Sequence, residues 1–119
     1  MPDIETIGRE SRRVVHGVAH WSPARWRTPA LDGEGDRAQV MRTLVQTLAD
    51  LAAQAEGEPS RTVPPPEHDT VLPDQLTVIT ADLVAARPGP EQCDLAAGAI
   101  RVARAGLFGS EEHLTRSPE

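Results

Sequence analysis

His16 and His20 are spaced i,i+4. On a helix that spacing sets two imidazoles on one face, as in zinc-binding helices. The zinc-protease pattern needs a glutamate directly after the first histidine, and Gly17 stands there. Zinc takes three or four protein ligands, and no cysteine pair or carboxylate cluster accompanies these two histidines. They read as surface imidazoles, and a metal- or small-ligand-binding helical protein using His16 and His20 is the alternative function. No metal and no cofactor is expected.

Other reactive groups are sparse. Cys93 is the single cysteine, so no disulfide can form within the chain. It falls in the first turn of a predicted helix, where the dipole favours thiolate, but Glu91 and Asp94 oppose a second negative charge. It reads as a bystander. A di-metal carboxylate site in a helical bundle needs Glu-x-x-His, and that tetrapeptide does not occur. Gly-x-Ser-x-Gly, a phosphate-cradling glycine loop and a dinucleotide fingerprint are also missing. Ser22, Ser60 and Ser110 fall where caps and loops want serine. The chain is expected not to be an enzyme.

The segment Trp21-Ser-Pro-Ala-Arg-Trp26 concentrates both tryptophans around Arg25. Trp and Arg dominate interface hot spots, so Trp21, Arg25 and Trp26 are the candidate interaction residues. The rival reading is that the indoles plug one end of a core poor in aromatics. Arg12, Arg13, Arg25 and Arg27 flank the tryptophans, and basic-aromatic interleaving is also a single-strand platform. The acidic remainder and the lack of a helix-turn-helix with a basic second helix argue against nucleic acid.

The net charge of −6 agrees with that exclusion. Its distribution is uneven: residues 1–31 hold five arginines against three carboxylates, and the acids concentrate after them. Lysine, asparagine and tyrosine are absent, which points to a high-GC bacterial genome. At 119 residues one domain is expected, with no metal or disulfide staple needed. The first twenty residues lack an apolar signal region. No window reaches the ~18 consecutive apolar residues of a membrane span. A cytoplasmic protein with no membrane partner is expected.

The elements that would position these groups are helical. Residues 36–56 carry Val40, Leu44, Leu48, Leu51 and Ala55 on one stripe, with Asp36 and Gln39 resembling a capping box and Gly57 ending the run. Residues 4–20 carry Ile4, Ile7, Val14, Val15 and Val18, with Ser11 a gap in the stripe. Helix is favoured there over a strand at 13–21, because a lone strand has nothing to pair with in a helical chain. Ser22-Pro23 opens one short turn through Trp26.

A Pro-rich linker spans 57–71, and the helices that it joins can be parallel or antiparallel. A third helix covers 72–87, with Leu76, Ile79 and Leu83 inward. A fourth covers 90–107, with Ala96, Ala99, Ile100, Ala103 and Leu107 inward and Leu95 and Val102 widening the face. The link between these two is short enough to predict an antiparallel hairpin.

The expected fold is all-α: a single four-helix bundle-like domain over 1–119, with a frayed tail at 110–119. Stripes without chemistry predict a small non-catalytic protein acting through protein–protein interaction. The partner is expected to be a second copy, as a homodimer, or a larger protein.

Overall fold

The computed structural model describes residues 2–109; the expected tail at 110–119 lies outside the described residues. It consists of α1 (Ile4–Val18), α2 (Pro23–Trp26), α3 (Arg37–Glu56), α4 (Leu72–Ala85) and α5 (Pro90–Phe108), with a 3₁₀ turn at Asp69–Val71 before α4. Among the described residues there is no strand, only an isolated antiparallel bridge between Pro29 and Asp36. No helix in this range is long and apolar enough to cross a membrane.

Caps fix most of the boundaries. The Asp3 carboxylate accepts from the Thr6 amide and hydroxyl, both at 2.9 Å, and these bonds hold its pKa below the ordinary value. Asp36 accepts from the Gln39 amide at 2.8 Å. Gly57 ends α3 with φ of 72°, a left-handed position that glycine takes without strain. The Gln92 side chain reaches back to the Gly89 amide at 3.0 Å to open α5.

Residues 13–18 are helix, not strand. α1 stops at Val18 rather than at 20, because the Trp21 amide turns back onto the Val18 carbonyl at 3.1 Å and the chain redirects into α2. α4 ends at Ala85 rather than at 87, with Arg87 at φ 56° before Pro88. α5 runs one residue longer than expected.

α3 and α1 lie on opposite sides of the bundle, and each packs on both α4 and α5. α3 therefore buries two flanks. Its inward face comprises Ala38, Met41, Leu44, Val45, Leu48, Leu51 and Ala52, wider than the expected stripe, and Val40 and Ala55 are only half-buried. Gly106 of α5 lies by Val40, and Gln92 bonds Gln54, so α3 and α5 are antiparallel. The linker returns the chain along α3: Arg42 pairs with Asp69 at 3.1 Å, just before α4 starts. Ala53 and Glu56 share a groove with Asp82 and Ala85, so α3 and α4 run parallel.

The short link after α4 reverses the chain as the hairpin required. The two helices do not pack along each other, however; they lie across the bundle's diagonal, each seated on α1 and α3. Glu10 pairs with Arg104 and Gly17 lies by Phe108, so α1 runs parallel to α5, and the bundle is up-down-down-up with one long crossover.

Leu95 and Val102 correct a helix-wheel expectation. They are 54% and 73% exposed, whereas Cys93, Ala96, Ile100, Ala103, Gly106 and Leu107 form the inward face of α5. In a helix this rich in alanine the apolar arc is too wide to fix its own rotation. Across the bundle, the gap in the α1 stripe is filled by polarity: buried Ser11 meets buried Thr80 of α4, Oγ to Oγ1, at 2.7 Å.

Candidate functional site

The three aromatic residues, Trp21, Trp26 and Phe108, meet at one end of the bundle. Local sequence explains how. Ser22 caps α2 by accepting from the Arg25 amide at 3.2 Å, and Pro23 starts it. One helical turn then drives Trp26 into the core, where it is 0% exposed. Thr28 closes the turn, its hydroxyl donating to the Arg25 carbonyl at 2.6 Å. Trp21 packs edge-on against Trp26, with centroids 4.9 Å apart, and against Phe108 at 5.8 Å. Phe108 comes close because Gly17 has no side chain: a Cβ there would lie 2.7 Å from the Phe108 ring tip.

Two guanidiniums cover the half-buried Trp21 ring. Arg25 stands 4.8 Å from its centroid and Arg37 5.3 Å. Arg37 is held there by its Nε, which donates to the Pro29 carbonyl at 3.4 Å, and by its amide, which donates to the Thr28 carbonyl at 3.0 Å. Each cation gains about 0.5–1 kcal/mol from the indole face at a site of this exposure. Among the described residues the salt bridges engage Arg9, Arg13, Arg42 and Arg104, and neither Arg25 nor Arg37. The end of the bundle thus presents an indole flanked by cations that lack an acidic partner in this range.

The candidate residues separate into two roles. Trp26 is a core anchor, and its Nε1–H has no hydrogen-bond partner among the described residues. Trp21 and Arg25 remain at the surface. Arg37 and Phe108 complete the cluster, and neither was legible as part of it. They join only through the fold, and Gly17 was the one local hint, as a small residue late in an apolar stripe.

The other candidates do not assemble. His16 is in the last turn of α1 and His20 is beyond its end, so the i,i+4 spacing does not place them on a continuous helix; both are exposed. Among the described residues no group of three or more His, Cys, Asp or Glu is placed to hold a metal ion. Cys93 is buried, with Sγ 3.8 Å from the Pro88 carbonyl. Burial raises its thiol pKa, and the charges of Asp3 and Asp94 add to that, so proximity to a helix start does not make it a thiolate.

Two concavities flank α3. One lies between α3 and α5 under the loop at 32–34, and a wider groove lies between α3 and α4 under the linker. Compared with protein-family models, with curated proteins and with solved structures, the chain matches none.

Proposed function

We propose that the protein is a non-catalytic interaction module that docks a larger, acidic protein onto its Trp21 end. The observation that carries this reading is the half-buried Trp21 ring under Arg25 and Arg37, two cations outside every salt bridge of the described residues. Guanidinium and indole are the groups that supply most hot-spot energy. A carboxylate arriving there gains bidentate hydrogen bonds from an arginine already oriented on an aromatic face.

The overall charge of −6 does not forbid an acidic partner. Screening reduces charges beyond about 8 Å at physiological ionic strength, so the local cations decide. The same charges disfavour a homodimer through this face. A two-fold axis sets a patch against its own copy and would bring arginine onto arginine.

The test immobilises the full chain and challenges it with a native-host lysate. A retained protein of acidic isoelectric point is expected, released by moderate salt and lost with Arg25→Glu and with Trp21→Ser. Arg25 is exposed, so the charge reversal leaves the helical circular dichroism intact. Sedimentation that depends on concentration and is abolished by Trp21→Ser would make a second copy the occupant and overturn the acidic-partner reading.

A further inference from the structure

A cleft lies between α3 and α5, and its lining does not include Trp21, Arg25 or Arg37. Its volume is about 320 Å³, at the lower end of small-ligand sites. Val40 of α3 and Val102 of α5 form its apolar walls, and Thr43 and Thr47 set two hydroxyl-bearing side chains one helical turn apart. Asp32 and Glu34 line it from the loop above. Neither carboxylate belongs to a salt bridge of the described residues, which use Glu10 and Asp69.

The loop is pinned at both of its ends, which sets its place over the cleft. The Pro29–Asp36 bridge closes its base, and the Ala30 amide donates to the Gly35 carbonyl at 2.9 Å. The Leu31 amide donates to the Gly106 carbonyl of α5 at 2.8 Å. Gly106 itself is required for this closeness: a Cβ there would stand 3.0 Å from Val40 and 3.3 Å from the Asp32 carbonyl oxygen. A wall held before the ligand arrives leaves less conformational entropy to be lost on binding.

We propose that this cleft binds a small linear ammonium: a short alkyl chain ending in a protonated amine. The alkyl part lies between Val40 and Val102, which is 73% exposed without it. The ammonium meets Asp32 and Glu34, and its remaining N–H donors find the threonine hydroxyls. An anion is repelled by the two carboxylates, and a wholly polar solute cannot use the apolar walls.

The experiment is a heteronuclear NMR titration of the full chain with n-hexylammonium, hexanol and hexanoate. Saturable millimolar shifts at Thr43, Thr47, Ala99 and Val102 are expected with the ammonium, weaker ones with the alcohol and none with the carboxylate. Replacing Asp32→Asn and Glu34→Gln together should weaken the ammonium about fivefold, as two exposed ion pairs do, and leave hexanol unchanged. Val102→Ser should weaken both. All three residues are exposed, so the fold survives these changes, and circular dichroism verifies it. Hexanoate binding as tight as the ammonium, an unchanged affinity in the double variant, or no saturation with the ammonium would each overturn the proposal.

Discussion

Ser11 and Thr80 are 69 positions apart in sequence and 2.7 Å apart at their hydroxyls, inside a mainly apolar core. Each is the other's partner, so the cost of disrupting them is asymmetric. Removing one hydroxyl strands the second in a nearly dry site, which costs about 1–3 kcal/mol. Removing both strands nothing. Thr80 keeps 8% exposure, so some water reaches it, and the lower end of that range is expected. Ser11→Ala alone should lower stability by about 1 kcal/mol, and Ser11→Ala with Thr80→Val should recover most of it. Urea midpoints of the two variants measure the difference. A double variant less stable than the single one would show that the pair is held for packing and not for its hydrogen bond.

At the scale of elements, the features that depend on near neighbours were legible and those that depend on rotation were not. Ser22-Pro23, Asp36 and Gly57 are local signals, and each marks a helix end in the structure. The stripes of α1 and α4 hold in their centres, where Ile7, Val14, Val18, Leu76 and Leu83 are buried, while Ile4, Val15 and Ile79 at their margins are half-buried. α5 is different: its alanines leave several rotations equally apolar, so Leu95 and Val102 could not be placed from their neighbours alone. The candidate site was half legible for the same reason. Trp21 and Arg25 belong to one segment, whereas Arg37 and Phe108 reach the indole from α3 and α5.

Gly17 and Phe108 give a direct measure of that long-range term. Alanine is better than glycine in a helix by up to about 1 kcal/mol, so propensity alone makes Gly17→Ala stabilising. The contact makes it otherwise, since the new methyl would sit 2.7 Å from the ring. Overpacking of this kind costs about 1–3 kcal/mol. Gly17→Ala is therefore expected to destabilise the wild type and to stabilise a Phe108→Leu background. The coupling energy from the four urea midpoints should fall in the range of about 0.5–3 kcal/mol found for residues in contact. Additive effects would place Phe108 away from α1.

For the molecule as a whole, the up-down-down-up order depends on the linker. α3 and α4 run parallel, so residues 57–71 must carry the chain back along α3, a rod of about 30 Å at 1.5 Å per residue. A polyproline-like chain gains ~3.1 Å per residue, so the segment is long enough. Length allows the path; Gln46 defines it. Its Oε1 accepts from the Val63 amide at 2.8 Å, and its Nε2 donates to the Arg61 carbonyl at 3.0 Å and to Asp50 at 2.8 Å. One side chain thus fastens the middle of the crossover to α3, and the Arg42–Asp69 pair fastens its end.

Each bond to Gln46 contributes about 0.5–1.5 kcal/mol, so losing the two that reach the linker should raise its open population roughly tenfold. Trypsin reads that population at the Arg61–Thr62 bond when reclosing is faster than cleavage. Gln46→Ala is expected to speed this cut about tenfold while the urea midpoint of the bundle shifts little, because the helices still pack on the same core. Equal cleavage rates in the variant and the wild type would mean that the prolines hold the crossover by stiffness alone. A large fall in the midpoint would mean instead that strap and bundle unfold as one unit, with the crossover a part of the core rather than a tether across it.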